Sequence, residues 1–135
     1  MPLYLLDTNI ISDLMYDPRQ GRAAKRVRLV AETDLVTSAV VLGELQFGVE
    51  RKGSEKLRAR MYAIVNTVEV LPLTERCSEH YGKLRTDLER KGTMISPNDL
   101  WIASHALAAH CVLVTDNDSE FRRVPGLVVE NWLRD

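Results

Sequence analysis

Five short strand-like runs, separated by segments with helical spacing, constrain this chain more than any other feature. The runs fall at residues 3–6, 35–37, 68–71, 111–115 and 127–129. Alternation of this kind is the mark of an α/β protein. Residues 111–115 (Cys-Val-Leu-Val-Thr) carry the unbroken apolar character of a parallel strand covered on both faces. Right-handed crossovers then predict a three-layer α/β/α sandwich around a mainly parallel sheet of about five strands. At 135 residues the chain has the length of one domain, and residues 1–135 are expected to form a single unit.

The helical segments have readable ends. Thr8 is placed to cap a short helix running to Asp13 or Met15, which Asp17-Pro18 breaks. A basic helix is expected over 22–31. Ser38 caps a helix whose Val41, Leu42, Leu45 and Val49 share one face, and Gly53 ends it. Another helix follows over 55–65. Thr74 opens a long one with the stripe Cys77, Tyr81, Leu84 and Leu88, stopped by Lys91-Gly92. Ser96-Pro97 starts the last, with Leu100, Ala103, Ala106 and Leu107 on its buried side. Residues 116–120 read as a polar loop.

Composition narrows the class. Hydrophobic residues make up 45% and charged residues 27%, which excludes a disordered or fibrous chain. No apolar stretch is long enough to span a bilayer, and the start has no basic leader, so a soluble cytoplasmic protein without membrane association is expected. Cys77 and Cys111 fall in core positions and read as reduced, buried thiols. His80, His105 and His110 lack the spacing of a metal triad. Trp101 and Trp132 read as packing or interface residues. The net charge is −1, yet Arg19, Arg22, Lys25, Arg26 and Arg28 form an acid-free basic stretch, and a second cluster spans 51–60. Each is either a phosphate-binding patch or a solvated helix face.

The acids carry the chemistry. Asp7 follows the first strand, Glu44 lies two turns into the helix after the second, and Asp99 lies in the first turn of the helix before the fourth. Asp116 and Asp118 follow the fourth strand. The carboxyl ends of parallel strands form the ligand crevice of such sheets. Carboxylates gathered there repel one another, and a hard cation such as Mg²⁺ or Mn²⁺, which takes oxygen ligands, resolves the conflict. Such a site points to phosphate-ester hydrolysis. Each acid also has an ordinary structural use: turn formation at Asp7, a helix edge at Glu44, a capping box at Ser96–Asp99, a solvated loop at 116–120. Nucleotide-binding glycine motifs, nucleophile elbows and zinc-protease motifs are absent.

Five segments in order, LLDTNIIS (5–12), VVLGELQFGVE (40–50), ISPNDLWIASHALA (95–108), LVTDNDSEF (113–121) and VPGLVVENW (124–132), make the chain resemble a PIN-domain ribonuclease, the VapC-type toxin of bacterial VapBC type II toxin–antitoxin systems. That resemblance implies metal-dependent endoribonuclease activity on RNA, a transfer RNA or another structured RNA, giving 5′-phosphate and 3′-hydroxyl ends. It makes Asp7, Glu44 and Asp99 metal carboxylates. It leaves the fourth position among Asp116, Asn117 and Asp118, with Asp116 favoured for outer-shell contact. Thr115 would orient the loop or a water, and Asn9 would support Asp7. A VapB-type antitoxin and a homodimer are the implied partners. The basic stretches at 19–28 and 51–60 are candidate RNA-phosphate contacts, because an acidic site needs nearby cations to tolerate a polyanion. The rival readings are a metal-dependent phosphatase or DNA nuclease on the same scaffold, and a non-enzymatic binding or regulatory protein.

Overall fold

The computed structural model describes residues 2–134. Its elements run β1 (Leu3–Leu6), α1 (Thr8–Tyr16), α2 (Arg22–Val27), β2 (Leu35–Ser38), α3 (Ala39–Lys52), α4 (Glu55–Val65), β3 (Glu69–Leu71), α5 (Glu75–Lys91), α6 (Pro97–Ala108), β4 (Cys111–Val114), α7 (Asp118–Phe121) and β5 (Val129–Glu130). All pairings are parallel, in the order β3-β2-β1-β4-β5. The chain therefore begins at the centre of the sheet, builds outward to β3, and returns to lay β4 on the other side of β1. Helices α1 to α4 pack among themselves, and α5 pairs with α6. Right-handed crossovers place the two groups on opposite faces, the three-layer sandwich the run pattern implies.

The sheet is buried because both faces are covered. Leu5, Leu6, Leu113 and Val114 are fully enclosed, and Ile10, Ile11, Val41, Leu45, Leu88, Leu100 and Ile102 close over them from the helices. Helix α6 is enclosed on more than its expected side: Ile102, Ser104 and His105 are buried as well. Its His105 ring, held neutral by burial, meets Ser38 Oγ at 2.7 Å and ties α6 to the end of β2. Trp101 stacks on Tyr81 with ring centroids 4.0 Å apart. Trp132, buried, packs on Tyr4 of the central strand. Both cysteines are buried and free, and enclosure pushes the Cys111 thiol up to about 11.

The helix ends follow local chemistry. Ser38 and Ser54 accept hydrogen bonds from Val40 N and Leu57 N at 3.0 and 3.1 Å, and Gly53 and Gly92 adopt the left-handed conformation (φ 61° and 68°) that closes α3 and α5. Four expectations are corrected. The cap of α1 is Asp7, whose Oδ1 accepts from Thr8 N at 2.8 Å, not Thr8. Helix α2 stops at Val27 and the chain tightens into i→i+3 bonds at Leu29 and Val30, because Leu29 points to solvent and offers no face to bury. The last strand is displaced to Val129–Glu130, since a turn with Gly126 at φ 80° carries Leu127 back toward Val124. Finally, residues 116–120 are not all loop: 118–121 wind into α7, anchored by buried Phe121.

Candidate active site

The site lies where the strand order reverses. Because β1 and β4 are neighbours in parallel register, with Leu6 opposite Val114, the residues that follow them emerge side by side. Asp7 and Thr115 are those residues. Ligands in open parallel sheets bind at this switch point. Asp7 is almost completely buried, at 4% exposure. Its Oδ2 accepts from Thr115 Oγ1 at 2.7 Å while its Oδ1 caps α1. Thr115 in turn accepts from Asn117 N at 3.0 Å and from Asn9 Nδ2 at 3.5 Å. Asn9 Oδ1 accepts from Asp116 N at 2.9 Å. Asn9, Thr115 and the loop backbone therefore form one polar clamp on Asp7.

Releasing Thr8 from the cap gives it a different task. Its Oγ1 donates to Glu44 Oε1 at 2.6 Å, and Asn98 Nδ2 donates to Glu44 Oε2 at 3.3 Å. One threonine thus touches Asp7 through its amide and Glu44 through its hydroxyl. Across the crevice, Ser96 Oγ accepts from Asp99 N at 3.4 Å and starts α6, presenting Asp99 at its first turn.

The fourth acid beside these three is Glu120. Its Oε1 accepts from Ser96 N at 3.2 Å, and Asn117 Nδ2 donates both to Glu120 Oε2 and, at 3.5 Å, to Asp99 Oδ2. Glu120 acts electrostatically on both Asp7 and Asp99. Asp116, favoured from sequence, and its alternative Asp118 are engaged by other partners. They share Asn131 Nδ2, at 3.0 Å from each, and lie near Arg134 at 3.7 Å, with Arg122 also 3.3 Å from Asp118. The Asn131 hydrogen bond holds the Asp118 carboxyl below its ordinary range. Glu120 carried a signal that sequence reading missed. Asn117, Phe121 and Val124 recur at helical spacing, so a turn here sets Glu120 beside Asn117 rather than in a disordered polar run.

The electrostatics of the four are distinctive. None of Asp7, Glu44, Asp99 and Glu120 has an ion-pair partner among the described residues, whereas Asp116 and Asp118 do. Burial, then the charges of Asp7 and Glu120, push the Asp99 carboxyl up to about 7. Burial raises Asp7 as well, against the pull of the Thr115 hydroxyl. The acids stand apart: among the described residues no three His, Cys, Asp or Glu side chains converge at a spacing that holds an ion directly. The donor chemistry is nevertheless that of a hard cation, all oxygen and all uncompensated.

The basic stretch divides. Arg28 donates to the Arg19 carbonyl at 2.8 Å, bracing its own turn, while Arg22, Lys25 and Arg26 line a groove with Trp132 and Arg134. In the second cluster Arg58 is taken up by Glu50 and Glu55.

A crevice of this kind, in this fold, defines a class. The PIN domain family matches residues 4–127. Ribonuclease VapC2 of Rickettsia felis is 38% identical over 131 residues, covering 96% of this chain and 98% of its own length. The tRNA(fMet)-specific endonuclease VapC of Salmonella typhimurium is also 38% identical, over 96% and 97% of the two chains. In the crystal structure of VapBC2 from Rickettsia felis bound to a DNA fragment from their promoter, one chain superposes with a TM-score of 0.89 at 38% identity, covering 96% of this chain and 98% of that one. This chain belongs to the PIN domain family, in its VapC branch. Among the described residues no helix is long and apolar enough to cross a membrane.

Proposed function

We propose that this protein is a divalent-metal-dependent endoribonuclease, the toxin of a toxin–antitoxin pair. The observation that carries the reading is the set of four carboxylates without a cation partner, placed at the switch point between β1 and β4. Asp7, Glu44, Asp99 and Glu120 would hold Mg²⁺ or Mn²⁺. When bound, such an ion activates water and neutralises charge developing on a phosphoryl group.

The chain's own residues prepare that site. Thr115 and the α1 amide occupy one lone pair on each Asp7 oxygen and fix the carboxylate's direction. Thr8 and Asn98 hold Glu44 from two sides. Asn117 separates Asp99 from Glu120 with a neutral amide that donates to both. Until a cation compensates the cluster, burial and the neighbouring charges favour the protonated form of Asp99. The likeness to ribonucleases, one named for a transfer RNA, supports a structured RNA such as a transfer RNA as substrate. The likeness to VapBC complexes supports a cognate VapB-type antitoxin. A homodimer completes the reading.

The test is cleavage of RNA, matched DNA and a small phosphate ester by the purified chain, with Mg²⁺ or Mn²⁺ and with EDTA. RNA products with 5′-phosphate ends, formed only with divalent ion and reduced at least about a hundredfold by Asp7→Asn, are expected. Undiminished cleavage by Asp7→Asn, or a preference for the ester or DNA, would refute the reading.

A further inference from the structure

The groove formed by Arg22, Lys25, Arg26, Trp132 and Arg134 lies outside the acidic crevice and is not used by the chemistry above. It joins two parts of the chain more than a hundred residues apart. Arg22 Nη1 donates to the Leu133 carbonyl at 3.0 Å, and Arg26 sits 5.7 Å over the Trp132 ring. Four cations therefore surround one buried indole. Among the described residues Arg22 and Lys25 have no acidic partner, and Arg22 is held through a neutral carbonyl, which leaves its charge uncompensated. The remaining two have loose partners: Arg26 lies 3.7 Å from Glu130, and Arg134 lies 3.7 Å from both Asp116 and Asp118, with 44% and 65% of the two cationic side chains exposed. Exposed pairs of this length are weak and exchange readily for a phosphate.

The groove also reaches the catalytic edge. Arg134 meets Asp116, whose amide donates to Asn9, and Asn9 donates to the Thr115 hydroxyl that holds Asp7. Neighbouring residues of the loop after β4 therefore meet the two sites, Asp116 the groove through Arg134 and Asn117 the crevice through Asp99. An acidic centre repels the polyanion it acts on, so affinity must come from cations beside it. Trp132 is too enclosed to stack on a base, so the grip is on phosphates and not on sequence.

We propose that this groove binds the phosphodiester backbone of a single-stranded or looped RNA segment and feeds it to the acidic site. The proposal rests on the ribonuclease reading for its choice of RNA over an acidic protein partner. Its test is independent of cleavage. Binding of a labelled single-stranded RNA to the full chain is measured in EDTA across a salt series, with polyglutamate as competitor. The variants are Arg22→Gln/Lys25→Gln/Arg134→Gln and a charge-matched control, Lys83→Gln/Arg90→Gln/Lys91→Gln on α5. The groove variant is expected to bind at least about tenfold more weakly, with the salt slope reduced by about 2, and the control to match wild type. Should the triple variant not fold, Lys25→Gln alone, which removes an exposed side chain, is expected to lower the slope by about 0.7.

Equal losses in groove and control variants, unchanged RNA affinity in the groove variant, or loss of polyglutamate binding alone would overturn the proposal. Groove-dependent RNA binding without any divalent-dependent cleavage would support it while refuting the nuclease reading.

Discussion

At the residue scale the site is organised by neutral side chains that aim charged ones. Thr115→Val leaves a buried Asp7 oxygen without its donor, so a stability loss of about 1–3 kcal/mol is expected in denaturant unfolding. Glu120 and Asp116 make opposite predictions. Calorimetric titration with Mn²⁺ should show at least about a tenfold weaker affinity for Glu120→Gln, because it removes one of the four uncompensated charges. Asp116→Asn, whose carboxylate already answers to Asn131 and Arg134, should change affinity less. The reverse order would restore Asp116 as the fourth acid. Asp99 sets a pH dependence. Its carboxyl, raised to about 7 in the folded protein, keeps a proton that the unfolded chain releases near 4. Between those values the native state binds more protons, so stability falls as pH rises through the window. A shift of that size has a ceiling of about 4 kcal/mol, and because Asp99 is only half buried, solvent screens much of it. In metal-free buffer Asp99→Asn should therefore match wild type near pH 4 and exceed it by about 1–2 kcal/mol near pH 8. A gap that does not change with pH would contradict the assignment.

At the element scale, helix starts are the positioning devices. Ser96 caps α6 with its hydroxyl while its amide holds Glu120, so one residue links the helix that presents Asp99 to the turn that presents Glu120. Ser96→Ala is expected to cost about 1 kcal/mol through the lost cap, measured by urea unfolding. Ser96, Pro97 and the Gly53 and Gly92 stops were legible because caps and left-handed glycines are local chemistry. The Asp7 cap was harder to see. Aspartate and threonine both cap helices, and only the approach of Glu44 from α3 shows why the threonine hydroxyl is turned elsewhere. Helix α7 was illegible for a related reason: four residues carry little periodic signal, and buried Phe121 is what makes the turn form.

For the whole molecule, the strand order is what makes one site from four scattered acids. Starting at the central strand and returning beside it brings Asp7 and Thr115, separated by more than a hundred residues, to hydrogen-bonding distance. The C-terminal segment closes the other side through Trp132 on Tyr4. Trp132→Ala should cost about 3–5 kcal/mol in thermal or denaturant unfolding. Trp132→Phe should recover much of that stability by refilling the cavity, and equal loss in both would argue against packing as the indole's role.

By itself the sequence determined the alternation of elements, hence the layered fold, and it set Asp7 after a strand, Asp99 in the first turn of a helix and Glu44 two turns into another, positions that the resemblance singled out. Those are properties of short windows, set by side-chain periodicity and capping. Tertiary structure alone decided which late acid lies beside them, which cations line the groove with Trp132, and how Thr8 touches two carboxylates. Each of those depends on the direction in which a side chain leaves its backbone, and direction is fixed only when separate segments pack together.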